Sequence, residues 1–226
     1  TGAVNPTDTF NCPGYYDFAG RRFHCHYRAG HGRVDLIHAI KYSCDVYFYK
    51  LAYEIGIDKL HSYLSQFGFG QRTGIDLTGE SSGLLPSRTW KKRARRQPWY
   101  PGETLIMGIG QGYFLTTPLQ LAAATAAIAN GGTFFTPHVV DYLRSRESGE
   151  ITPIPKNARP IPIGSDQNWQ DVRDGMADVV EGQRAGADRQ RGDDLARPNV
   201  DHLAGREQVG EIARDALMEA WNRTRG

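Results

Sequence analysis

Long apolar runs are missing from this sequence. The longest, Leu119 to Asn130, holds about a dozen residues and much alanine, against the roughly 20 that a membrane-spanning helix requires. No signal peptide is expected within the chain, so a signal or anchor of a parent protein would lie upstream of Thr1. An excess of charge is missing too. The 27 basic residues face 25 acidic ones, a net +2 that gives no general attraction to nucleic acid or to a membrane surface. Cysteine is scarce and odd in number: Cys12, Cys25 and Cys44 all fall in the first fifth of the chain. That excludes a fully paired disulfide framework and leaves a metal site, or one disulfide with a spare thiol. What is present is a hydrophobic share of 39% and an aromatic share of 11%, enough to build a core and too much for a disordered chain. The 226 residues suit one domain, or one domain with an appendage, and no internal repeat is visible.

Residues 1–33 are rich in Gly, Pro, Asn and aromatics and read as extended segments and loops. From Asp35 the apolar residues Leu36, Ile40, Tyr47, Leu51 and Ile55 recur at helical spacing, with Asp35 as N-cap and Gly56 as terminator. A second helix is expected from an Asp58 cap to Gly68, and residues 69–113 read as turn-rich. Thr117-Pro118 opens a third helix, a hydroxyl cap followed by proline, which Asn130-Gly131-Gly132 closes. Thr133 to Leu143 reads as a strand pair or a strand and loop, and Trp169 to Val180 as a helix. Glu181 to Arg206 repeats Arg, Asp and Gly with almost no large apolar residue, and Glu207 to Arg223 recovers an amphipathic pattern.

Tyr42-Ser43-Cys44-Asp45 is the most informative stretch, although a bare Ser-x-Asp is usually a polar pair at a helix end. Its surroundings change its weight. His31-Gly32-Arg33-Val34 precedes it, and Tyr53-Glu54-Ile55-Gly56-Ile57-Asp58 follows. Then come Phe67-Gly68-Phe69-Gly70, Thr73-Gly74-Ile75-Asp76-Leu77, Gly83-Leu84-Leu85-Pro86, Trp99-Tyr100-Pro101-Gly102-Glu103-Thr104 and Gly108-Ile109-Gly110-Gln111-Gly112-Tyr113. This succession, from about Asn11 to Val180, resembles the transpeptidase domain of the elongation-type class B penicillin-binding proteins, the penicillin-binding protein 2 group.

That resemblance implies an α+β penicillin-binding/transpeptidase fold, a helical subdomain plus an antiparallel sheet that is incomplete here. It implies a peptidoglycan D,D-transpeptidase, which cross-links stem peptides by serine acyl transfer and is acylated by beta-lactams. Three motifs serve that chemistry: Ser-x-x-Lys, Ser-x-Asn or Ser-x-Asp, and Lys-(Ser/Thr)-Gly. Ser43-Cys44-Asp45 matches the second. The role implied for Ser43 is to relay a proton or hydrogen-bond the catalytic lysine, and for Asp45 to hydrogen-bond the substrate amide or order that lysine. Also implied are the periplasmic face of the bacterial inner membrane, with the anchor outside this chain, and membrane proteins of the elongation machinery as partners. Neither Ser-x-x-Lys nor Lys-(Ser/Thr)-Gly occurs in the 226 residues, so this chain alone is expected to be inactive. The expected organisation is a partial transpeptidase domain over 1–180, a polar segment outside the family pattern over 181–206, and an amphipathic helix over 207–226.

Cys12, Cys25, His31 and Cys44 form the pattern Cys-x12-Cys-x5-His-x12-Cys, a ligand set suited to structural zinc. The spacing alone leaves two alternatives open: a disulfide plus a buried thiol, or His24 or His26 as the nitrogen ligand. The resemblance implies the zinc site, because elongation-type members can carry one between the first two motifs, with Cys12 and Cys25 at positions where others have aspartates.

Other features are weaker. The basic run Lys91 to Arg96 reads as a solvated face or as a patch for an anionic polymer; it lacks the interleaved aromatics of a nucleic-acid site. Gly108 to Gly112 lacks the lysine of a phosphate loop and reads as a close-packed turn. His138 reads as structural. Two rival functions stand beside the transpeptidase reading. One is a non-catalytic zinc-stabilised helical binding module. The other is a hydrolase with Ser43 as nucleophile, disfavoured because Lys41 is two residues away and would point elsewhere on a helix.

Overall fold

A computed structural model describes residues 3–162 and 165–190, with side chains as far as Glu181. The amino-terminal third begins with four short strands, β1 (Phe10–Cys12), β2 (Tyr15–Phe18), β3 (Arg21–His24) and β4 (Gly32–Val34). They are nested: β2 and β3 form a hairpin, and β1 pairs with β4 outside it, both antiparallel. Ala19 and Gly20 turn the hairpin with φ of 50° and 76°, the double positive φ whose twist matches paired strands.

Three helices follow, α1 (Leu36–Lys41), α2 (Asp45–Ile55) and α3 (Ile57–Gln66). The Asp35 carboxylate caps α1 by accepting from His38 N at 2.9 Å. Gly56, at φ 77°, ends α2 and starts α3, so Asp58 lies in the first turn of α3 and is not its cap. The single helix expected from Asp35 to Gly56 is two helices, broken at Tyr42-Ser43-Cys44.

The segment expected to be turn-rich holds two more helices, α4 (Arg88–Arg95) and α5 (Pro101–Met107). Ser87 Oγ accepts from Trp90 N at 3.0 Å to cap α4. α5 packs across α2 at close range, because Gly108 has no Cβ; one there would lie 2.3 Å from Ala52 Cβ. In α6 (Pro118–Ala129), Thr117 Oγ1 accepts from Gln120 N and Gln120 Oε1 accepts from Thr117 N, a reciprocal cap. The buried Gln120 amide also donates to Gln71 O at 2.6 Å and Ser82 O at 2.8 Å, pinning the long loop to α6.

β5 (Thr133–Phe135), β6 (Tyr142–Arg144), β7 (Ile151–Pro153) and β8 (Ala158–Pro160) follow, and α7 (Asp166–Gln190) closes the described chain. β5 pairs with β8 around the β6–β7 hairpin, again nested and antiparallel. All sheets among the described residues are two-stranded. α7 packs on α1, where Gly175 lets Ile40 approach and Lys41 Nζ meets Asp178 Oδ2 at 3.1 Å. Lys41 thus points to α7 and away from Ser43, as its helical position requires. The helix runs through position 180, so that position is not an element boundary. The rest of the polar segment beyond Gln190, and the helix expected over 207–226, lie outside the described residues.

Candidate active site and metal centre

The break between α1 and α2 builds the site. Ser43 N donates to Ile40 O at 3.1 Å and Cys44 N to Ala39 O at 2.9 Å, the paired bonds of a Schellman helix end, with Ser43 at its left-handed position (φ 51°). Cys44 and Ala39 are both fully buried, supplying the apolar contact that accompanies this motif. The turn therefore drives Cys44 into the core and leaves Ser43 exposed. Among the described residues the Ser43 hydroxyl has no hydrogen-bond partner, and Asp45 follows at the first position of α2, where a carboxylate is favoured by the helix dipole.

Asp45 is already engaged. Its Oδ2 accepts from His26 N at 2.7 Å, with His26 Nδ1 at 3.6 Å. One carboxylate oxygen thus clamps the Cys25-His26 loop onto α2. Nothing in the sequence signals this contact across 19 residues. Tyr49 adds a second tie from α2, its hydroxyl donating to His24 O at 3.1 Å.

Beneath Ser43 the four sequence-selected donors converge. Cys12, Cys25, His31 and Cys44 place one ligand atom each within 4.8 Å of all the others, and the cysteines are unpaired and buried. The His31 Nδ1 lies 3.6 Å from Cys12 Sγ and 3.5 Å from Cys25 Sγ. Tetrahedral zinc with bonds of about 2.3 Å to sulfur and 2.0–2.1 Å to nitrogen would set sulfur and nitrogen about 3.6 Å apart, so the donor set fits. His26 instead groups with Cys25 and Asp45, and His24 joins neither group.

Electrostatics in the cluster oppose thiolates at Cys25 and Cys44. Burial pushes the Cys44 thiol up to about 12 and raises that of Cys25, and the neighbouring cysteines add to both shifts. Backbone N–H groups work the other way. Those of Tyr27, Asp45 and Val46 face Cys25, and that of Tyr47 faces Cys44, which favours anionic sulfur. His31 is shifted down, first by burial and then by His26; that favours the neutral imidazole a metal needs. Its ring lies parallel to that of Tyr42, which is exposed beside Ser43.

Comparison with known proteins decides the family. The penicillin binding protein transpeptidase domain matches residues 1–197. This chain belongs to that family. The match takes in the Ser-x-Asp segment and all four cluster residues, and it continues past position 180. Among curated relatives, the peptidoglycan D,D-transpeptidase MrdA of Acinetobacter baumannii is 41% identical over 182 residues, 80% of this chain and 27% of the relative. MrdA of Escherichia coli is 36% identical, over 79% of this chain and 28% of the relative. The chain therefore spans about a quarter of the length of these relatives. Among solved structures, Pseudomonas aeruginosa PBP2 in complex with WCK 5153 superposes with a TM-score of 0.71 at 44% identity, covering 80% of this chain and 39% of that one. Helicobacter pylori PBP2 in complex with MreC gives 0.68 at 36% identity, covering 78% and 31%. These relatives bear out the elongation-type resemblance and the α+β transpeptidase fold, and they favour the transpeptidase over the helical-module rival.

Proposed function

We propose that this chain is the Ser-x-Asp-bearing part of a peptidoglycan D,D-transpeptidase that acts on the periplasmic face of the inner membrane. The observation that carries the reading is Ser43, held exposed at a left-handed turn and without a hydroxyl hydrogen bond among the described residues, in a chain of the transpeptidase family. In the whole enzyme a serine of a Ser-x-x-Lys motif attacks the penultimate D-Ala carbonyl of a stem peptide. Terminal D-Ala leaves, and the acyl group passes to an amine on a neighbouring strand. Beta-lactams acylate the same serine. Ser43 donates and accepts the relayed proton beside the lysine, and Asp45 positions that edge of the cleft by holding the Cys25-His26 loop. Membrane proteins of the elongation machinery are the partners that fit, as the MreC complex of the Helicobacter relative suggests. Joining this chain to a Ser-x-x-Lys segment and a Lys-(Ser/Thr)-Gly strand should restore labelling by fluorescent penicillin. In that protein Ser43→Ala should slow acylation by ~10²-fold, the scale of one positioned proton-transfer group. An unchanged rate would remove Ser43 from the mechanism.

We further propose that Cys12, Cys25, His31 and Cys44 hold a structural zinc ion. The ion would supply positive charge that lets three buried sulfurs coexist as thiolates. The four residues would hold the strand loops against the start of α2. About one equivalent should copurify. Chelation should free all three thiols for alkylation, whereas a disulfide would leave only one reactive before reduction. Cys25→Ser and His31→Ala should each lower the metal content, and His24→Ala should not. Metal-free protein with a single alkylatable thiol would overturn the site.

A further inference from the structure

α4 carries five basic residues in eight, and the structure sorts them sharply. Lys91 is drawn inside, 1% exposed, where its ammonium pairs with Glu103 and lies 4.2 Å from the Tyr100 ring centroid. Arg88 pairs with Asp58. Lys92, Arg93 and Arg95, and Arg96 at the helix end, are exposed, and none forms an ion pair among the described residues. Arg95 reaches only the face of Tyr113, at 5.7 Å.

Two costs accompany this arrangement. Lys92 and Arg96 are four residues apart, and Lys92 and Arg95 three, so like charges face each other along one side. Arg96 itself sits in the left-handed conformation, φ 56°, where glycine would be unstrained. A cation or two in the last turn would satisfy the helix dipole; four unpaired ones, one of them on strained backbone, exceed that need.

We propose that this face is a docking surface for peptidoglycan strands, recognised through the carboxylates of their stem peptides. This rests on the transpeptidase reading, since each uncross-linked stem peptide ends in a carboxylate and a strand bearing many of them is a polyanion complementary to the four cations. A lipid surface fits less well. The apolar side of α4 is turned inward, with Trp90 against Tyr113; the exposed neighbours Ala94, Gln97 and Pro98 are small or polar, and the large exposed ring beside them, Tyr100, is engaged by the buried Lys91 ammonium. The surface is also fixed relative to Ser43. Lys91 and Glu103 join α4 to α5, and α5 packs on α2 through Gly108 and Ala52.

The test is cosedimentation of the 226-residue chain with purified peptidoglycan sacculi, with the same sacculi stripped of stem peptides by an amidase, and with anionic phosphatidylglycerol vesicles. The expected result is binding to intact sacculi only. It should weaken about tenfold or more in a Lys92→Gln, Arg93→Gln, Arg95→Gln, Arg96→Gln variant, and vanish near ~0.5 M salt, where screening is short-ranged. An unchanged melting temperature of the variant, or of Arg93→Gln with Arg95→Gln alone, shows that the fold survives. Equal binding by the variant, binding to stripped glycan, or preference for vesicles would each overturn the proposal. Penicillin acylation of the restored enzyme carrying the same substitutions separates the two readings. Normal acylation with undiminished strand binding sinks only the docking surface, whereas loss of acylation by the unsubstituted restored enzyme sinks the transpeptidase reading.

Discussion

At Ser43 the chain puts a hydroxyl in the left-handed position that glycine takes after α3 and α6. Gly131 closes α6 through the same paired bonds that Ser43 makes at α1, with φ of 66°, and Gly68 follows α3 at φ 84°. A non-glycine residue in that conformation costs about 1 kcal/mol. Ser43→Gly should therefore raise the unfolding free energy by about that amount in denaturant titrations. In the restored enzyme it should slow acylation as much as Ser43→Ala does, a stability gain with an activity loss. The cysteines give a second expectation. A thiol raised from 9.0 to about 12 in the fold, as at Cys44, favours the folded state below pH 9. That contribution is lost as pH rises through the folded value. Metal-free protein should lose stability between about pH 9 and pH 12. Zinc-loaded protein, already ionised at sulfur, should hold there and weaken in acid as protons displace the ion. Melting curves across pH with and without chelator distinguish the two. That Cys12, Cys25, His31 and Cys44 come together was legible in the sequence because sulfur and imidazole are rare and their chemistry is narrow. The Asp45 clamp on His26 was not, since a carboxylate beside a loop N–H leaves no pattern in the chain.

Among the elements, the ones legible in advance are those with local chemical punctuation. Asp35 caps α1, Thr117-Pro118 opens α6 and Gly56 ends α2, each through bonds made within a few residues. α4 and α5 also carry local signals, the Ser87 cap and Pro101 with Glu103 accepting from Tyr100 N, but each helix is too short for apolar periodicity to show. α4 reads as a charge run, and it is held by Lys91 reaching Glu103, twelve residues away. The break at Ser43 is half legible: Ser-x-Asp reads as a polar pair at a helix end, but the apolar spacing continues through it, and the left-handed turn depends on burying Cys44. The α5–α2 contact yields a sharp expectation: Gly108→Ala should destabilise by about 2 kcal/mol through overpacking, and Ala52→Gly should recover part of that loss in a double-mutant cycle. At the buried pair the order of effects is informative. Removing the carboxylate in Glu103→Ala leaves Lys91 as an unpaired buried ammonium and frees the Tyr100 N–H that Glu103 accepts from at 2.8 Å. It should cost about 3–5 kcal/mol. Lys91→Met fills similar volume and leaves Glu103 partly in water, so thermal denaturation should rank it clearly milder.

For the molecule as a whole, the strands stay in nested pairs and the described residues form no larger sheet. The helices α1, α2, α5 and α7 pack into a unit that presents Ser43 without the other two motifs of its family. Acyl transfer needs a nucleophile with its activating lysine, and a donor-lined edge that stabilises the developing oxyanion. Asp45 and the Ser43 hydroxyl provide neither. Lys41 cannot stand in for the missing lysine, because its ammonium is committed to Asp178 across the α1–α7 contact. The chain alone should therefore show no covalent adduct with a labelled beta-lactam, however long the incubation. Peptide mass spectrometry is the measurement, since it reports the acylated residue as well as the amount. Label on Ser43 would mean that this hydroxyl is itself a nucleophile, and would revive the hydrolase reading. Absence of label on the isolated chain, with label on the serine of Ser-x-x-Lys once the joined segments are present, would place Ser43 as the proton-relay partner of another residue's attack.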